Sequence, residues 1–208
     1  MRKTQIAVLG SSGSICTKKA YKIAEQVGKE LAKKDCVTIT GGGLGIMEAA
    51  LKGAKEENGM TVGIIPWENI KKVNDYADVV IATGIGWTRD AINLNSCDGA
   101  IVVHGGAGTL NEVSYGYIMN KPIVAIEESG GMAKDIAGRY LDIRKNEKIV
   151  SAKNAEEAVE KILSIIEHKH KSGQILSEFD RGLLGMEDKQ DWEKIAKKRK
   201  KELKKKQE

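Results

Sequence analysis

A doubly wound α/β fold on a mainly parallel sheet, with helices on both faces, is what this sequence predicts, on three observations. Six short runs rich in Ile and Val recur along it: IAVL at 6–9, VTIT at 37–40, VGII at 62–65, VVIA at 79–82, AIVV at 100–103 and IVAI at 123–126. Such runs are apolar on both sides of the strand, as in a parallel sheet covered by helices on each face. Segments with apolar residues three and four apart lie between them, as in YKIAEQVGKELAKK and IMEAALKGAKEE. That alternation implies right-handed crossover units. Finally, four of the strands empty into glycine-rich or small-residue turns.

Taken in order, IAVL runs into GSSGS at 10–14, VTIT into GGGLG at 41–45, VVIA into TGIGWTR at 83–89, and AIVV into HGGAG at 104–108. Each turn is followed by a helix start. After VGII comes an irregular loop, PWENIKKVNDYAD. A last strand, KIVSA, precedes NAEEAVEKILSIIEHKHK, where Asn154 is a natural N-cap with acids in the first turn. Residues 1–170 thus read as one Rossmann-like domain and 171–208 as a charged, helical extension.

The chain has 208 residues, 34 basic and 29 acidic, for a net charge of +5. Residues 189–208 hold ten Lys or Arg against four acids, so the remaining 188 carry 24 basic and 25 acidic groups. The basic character belongs to the tail, and the body gives no polyanion signal. Trp192 is the tail's one aromatic residue, which argues against base stacking on nucleic acid and for a solvated helix. No run of about 18 apolar residues is present, and MRKTQ leads straight into a strand, so a soluble, cytoplasmic protein is expected. The spacing of Cys16, Cys36 and Cys97 fits neither metal binding nor a redox motif, and they read as buried thiols.

In an open parallel sheet the four glycine turns fall on one edge, outside the carboxyl ends of the strands, where ligands of this architecture bind. Helix starts there present free N–H groups and the positive end of the helix dipole, and glycine removes the Cβ that would keep a phosphate away. Glycine also suits any strand-to-helix turn. Neither GxxxxGK[ST] nor an intact GxGxxG is present, so a triphosphate or an ordinary dinucleotide fits less well than a smaller phosphorylated ligand. The expected phosphate or nucleotide contacts are Gly10, Ser11, Ser12, Gly41, Gly42, Gly43, Gly105, Gly106, Gly108 and Thr109.

Thr109 and Glu112 have the spacing of a capping box, which would give the glutamate a purely structural task. Arg89, at the mouth of the preceding turn, offers a second part. A guanidinium gripping phosphate and a carboxylate facing a sugar are what a site needs to hold a nucleotide and cleave its glycosidic bond. Trp87 is placed to stack on a base or to pack. His104 is either a ligand contact or half-buried packing, and Asp90 reads as an N-cap or dipole partner.

GGGLGIMEAALKGA and GGAGTLNE resemble the two glycine motifs of the Lonely Guy phosphoribohydrolases, proteins once mislabelled lysine decarboxylases. The run TGIGWTRDAINLNSCDGAIVVHGGAGTLNEV with NKPIVAI is more similar to their relatives of unassigned function and to the molybdenum-cofactor carrier proteins. The resemblance spans about residues 4–165. It implies Arg89 and Glu112 as a catalytic pair and Met47 of the first motif as a further site residue. It also implies hydrolysis of a nucleoside 5′-monophosphate to base and ribose 5-phosphate, without metal or cofactor. Carriage of a nucleotide-like or molybdenum-cofactor ligand is the alternative, and a homodimer or higher homo-oligomer is the expected assembly. His104 stands where the motif has proline.

Overall fold

The computed structural model describes residues 2–145 and 147–171. The charged extension lies, apart from its first residue, outside the described residues. The described part forms seven strands: β1 (Gln5–Gly10), β2 (Val37–Thr40), β3 (Thr61–Ile65), β4 (Val79–Ala82), β5 (Gly99–Val103), β6 (Ile123–Ile126) and β7 (Val150–Ala152). It also forms six α-helices: α1 (Lys18–Lys33), α2 (Ile46–Glu56), α3 (Asp90–Asn95), α4 (Ala107–Ile118), α5 (Gly131–Ile136) and α6 (Ala155–Lys171). Every strand predicted from the sequence is present.

The strand order is β4-β3-β2-β1-β5-β6-β7, and all pairings are parallel. The order reverses at β1, which pairs with β2 on one side and β5 on the other, so a crevice opens between the ends of β1 and β5. Alternation along the strands divides the core. Ile6 and Val8 join the layer under α1, α2 and α6, whereas Ala7 and Leu9 join the layer under α3, α4 and α5. One expectation is corrected at the edge: Val79 and Ile81 on β4, the outermost strand of the sheet, are exposed.

Two glycines draw α1 and α2 together. A Cβ on Gly28 would stand 2.0 Å from the Ala50 carbonyl oxygen, and one on Gly53 would stand 1.8 Å from that of Glu25. The helices therefore meet backbone to backbone, and the start of α2 is carried up to the first turn. There the Ile46 amide donates to the Ser11 carbonyl at 3.0 Å. At the far end of the chain the Glu157 amide donates to Asn154 Oδ1 at 2.9 Å, the cap that the sequence indicated.

Candidate active site

The crevice at the β1/β5 switch holds a cleft of about 130 Å³. Its walls come from the β1 turn (Gly10, Ser11, Ser12, Ile15), the start of α4 (Gly106, Ala107, Gly108, Thr109, Glu112), the turn before α3 (Trp87, Arg89, Asp90) and Met47 of α2. Pockets that enclose a drug-sized ligand occupy about 300–1,000 Å³. A ligand as large as a nucleotide would therefore bury one part here and lay the rest over the rim.

The sequence expectation of a Thr109–Glu112 capping box is corrected by where α4 begins. Gly106 is the N-cap and makes no side-chain cap, so Thr109 lies within the first turn and Glu112 one turn further on. Leu110 is the first amide to bond back within the helix, to Gly106 at 3.0 Å. The amides of residues 107–109 precede that bond at the dipole's positive end. Thr109 packs its side chain beneath Gly105, where a Cβ would meet its Oγ1 at 2.6 Å.

Glu112 is instead part of a buried polar cluster. Its Oε1 accepts from Asn93 Nδ2 at 3.1 Å and from Arg89 Nη1 at 3.4 Å. The same Nη1 donates to Asp90 Oδ1 at 2.7 Å, and Asn111 Nδ2 donates to the other Asp90 oxygen at 3.0 Å. Oε2 of Glu112 has no hydrogen-bond partner among the described residues and is not among the fully enclosed unpartnered atoms, so it is left to the cleft. Burial, then the charge of Asp90, push the Glu112 carboxyl up to about 7 against the pull of Arg89. Arg89 is 6% exposed, and its Nε is buried without a partner.

The GGGLG turn has a different place from the other glycine loops. Gly41 lies under the Arg89 guanidinium, Gly42 faces Ile65 and Val73, and Gly43 sits against Met47. Asn74 clamps this turn, its amide donating to Gly42 O at 2.9 Å and its Nδ2 to Gly43 O at 2.8 Å. None of the three glycines lines the cleft; the turn supplies the floor under Arg89 and leads into α2, whose Met47 reaches the cleft. The start of α2, likewise, is occupied by the Ser11 carbonyl.

His104 lies just behind the cleft lining, with φ +56°. Its amide donates to Ser129 Oγ at 2.7 Å, and its Nδ1 lies 3.1 Å from Ser11 Oγ. Proline could adopt neither that backbone nor that bond, so the histidine is built into the turn. Trp87 is 78% exposed on the rim, near Gly108. Cys97 is buried with its thiol donating to the Leu94 carbonyl at 3.4 Å, a core position. Among the described residues no group of three His, Cys, Asp or Glu side chains could hold a metal ion.

Sequence reasoning missed Asn93, Asn111 and the burial of Asp90. A signal existed for Asn93: Arg89 and Asn93 are four apart, the spacing that puts two side chains on one helical face.

Residues 3–159 match the SLOG cluster4 family. The chain belongs to that family. An uncharacterized protein of Archaeoglobus fulgidus is 39% identical over 127 residues, covering 61% of this chain and 82% of the relative. The cytokinin riboside 5′-monophosphate phosphoribohydrolase of Mycobacterium tuberculosis is 30% identical over 154 residues, covering 66% and 82%. The molybdenum cofactor binding protein of Rippkaea orientalis superimposes with a TM-score of 0.72 at 34% identity, covering 80% of this chain and 99% of that one. The SLOG assignment agrees with the resemblance carried by the two glycine motifs. Among the described residues, no helix is long and apolar enough to cross a membrane.

Proposed function

We propose that this SLOG cluster4 protein binds a nucleoside 5′-monophosphate and hydrolyses its N-glycosidic bond, giving free base and ribose 5-phosphate. The observation that carries this reading is the single cleft shared by an unpartnered Glu112 Oε2 and the helix-start amides of residues 107–109. Phosphate would take those amides together with the β1 turn, where glycine allows close approach. The ribose then lies toward Glu112. As the bond from C1′ to the base breaks, positive charge develops on the ring, and a carboxylate facing it stabilises that charge and orients water for attack. Water's oxygen ends on C1′, and the departing base gains a proton. The base itself lies over the rim beside Trp87. The M. tuberculosis relative, named for this reaction on a cytokinin riboside monophosphate, supports the reading.

Incubating the protein with AMP and other nucleoside monophosphates, and assaying free base and ribose 5-phosphate, tests it. Release is expected, and Glu112→Gln is expected to remove it while nucleotide binding stays. Undiminished release by that variant would overturn the role of Glu112.

A second reading, carriage of a nucleotide-like or molybdenum-cofactor ligand without turnover, is favoured by one observation. Arg89 lines the cleft with its Nη1 committed to Asp90 at 2.7 Å. The R. orientalis neighbour supports it. Mass spectrometry of a co-purified ligand, with no monophosphate cleaved, distinguishes the two.

A further inference from the structure

Arg89 faces two buried carboxylates and serves them unequally. Nη1 lies 2.7 Å from Asp90 Oδ1 and 3.4 Å from Glu112 Oε1. Asp90 cannot readily turn away, because Asn111 holds its second oxygen at 3.0 Å. A guanidinium is most strongly bound when two of its N–H groups meet both oxygens of one carboxylate. Arg89 forgoes that arrangement with Glu112, and Nε is buried with no partner at all. Asn93 Oδ1 is also buried without one, although its Nδ2 holds Glu112.

We propose that Asp90 is a positioning residue for Glu112: by occupying Arg89 Nη1 it withholds the guanidinium from a two-pronged pairing and leaves Glu112 Oε2 for the ligand. This rests on the reading of the cleft as a ligand site. The charged groups facing Glu112 are Arg89, from the turn before α3, and Asp90, from the start of α3; the other cleft walls are uncharged. One guanidinium against two carboxylates leaves an uncompensated negative charge, and burial makes that charge costly. The cluster therefore holds a proton nearer neutrality than an exposed glutamate would, and a carboxyl that exchanges a proton there suits acid–base work on a ligand. Asp90 acts through Arg89 and need not touch the substrate.

The test is a titration of the full chain carrying ¹³C-labelled glutamate carboxyls, with the Glu112 resonance identified by its loss in Glu112→Gln. The wild-type midpoint is expected near 7. In Asp90→Asn, Arg89 is released to Glu112 and the midpoint is expected to fall by about one to three pH units. Asn111→Ala keeps the Asp90 charge but frees its carboxylate to turn, and is expected to move the midpoint the same way by less. If Asp90→Asn fails to fold, Asn111→Ala alone decides. A midpoint unmoved in the folded variants overturns the proposal. Because the titration needs no substrate, it stands apart from the hydrolysis assay: cleavage of monophosphates with an unmoved midpoint defeats only the role of Asp90, whereas a moved midpoint without cleavage defeats only the proposed reaction.

Discussion

The guanidinium of Arg89 rests against Gly41, where a Cβ would stand 2.4 Å from Nη2 and 2.7 Å from Cζ. A single methyl group at position 41 therefore cannot be added without moving the arginine. Gly41→Ala is expected to leave the fold intact by circular dichroism and to lower base release by about 100-fold or more, because a displaced Arg89 carries with it Glu112, the carboxylate that faces the developing positive charge. Release within a few-fold of wild type would show that the position of Arg89 does not matter to the reaction.

The carboxyl of Glu112 carries a stability consequence whose direction follows from its raised value. In the unfolded chain it titrates near 4.5; in the folded protein burial, then Asp90, lift it to about 7. The folded state thus holds the proton more tightly, and the resulting stabilisation is complete below about 4.5 and is lost as pH rises through about 7. The difference amounts to about 3 kcal/mol at most. Glu112→Gln has no proton to lose, so its melting temperature relative to wild type is expected to rise by several degrees between about pH 5 and about pH 8. A constant difference between the two proteins across that range would contradict the buried environment assigned to this carboxyl.

Trp87 offers its ring at the rim beside Gly108. Stacking of one base on an aromatic side chain is worth about 1–3 kcal/mol. Trp87→Ala is accordingly expected to weaken nucleoside monophosphate binding by about 5- to 150-fold in calorimetry, and Trp87→Phe by much less. Ribose 5-phosphate, which has no base, should bind all three proteins alike. Equal losses for both ligands would mean that Trp87 shapes the loop and does not touch a base.

His104 occupies the place of a motif proline at φ +56° with its amide bonded to Ser129. His104→Pro is expected to destabilise the protein by about 2 kcal/mol or more, from a forbidden backbone angle and a lost hydrogen bond. His104→Gly is expected to stay within about 1 kcal/mol, since glycine accepts that angle. Thermal melts of the two variants decide the point, and a proline variant as stable as wild type would show that the turn simply rearranges.

The strands and the sheet edge were legible in the sequence because β-branched runs and the glycines that end them obey local rules. Arg89 and Glu112 were legible as a pair only through the motif resemblance, not through strand adjacency: β3, β2 and β1 lie between β4 and β5, and the turn before α3 carries Arg89 back across the sheet edge to Glu112. The start of α4 was not legible, because Thr-x-x-Glu satisfies a capping pattern that the chain declines by beginning its helix three residues earlier, at Ala107. The place of the GGGLG turn was hidden as well. Only the assembled fold shows Asn74 pinning it away from the cleft, since that contact joins residues about thirty positions apart. Ionic preference inside the cluster was equally out of reach, because it depends on Asn111 reaching Asp90 from another helix.

The Ile46 amide fastened to the Ser11 carbonyl has a kinetic corollary. With α2 fastened to the first turn and the backbone contact of Gly28 and Gly53 anchoring α2, the β1 bank of the crevice stands ready before anything arrives. Capture of a small anion should then be a single rapid event at the pace of orientation-limited encounter, with residence time alone separating good ligands from poor ones.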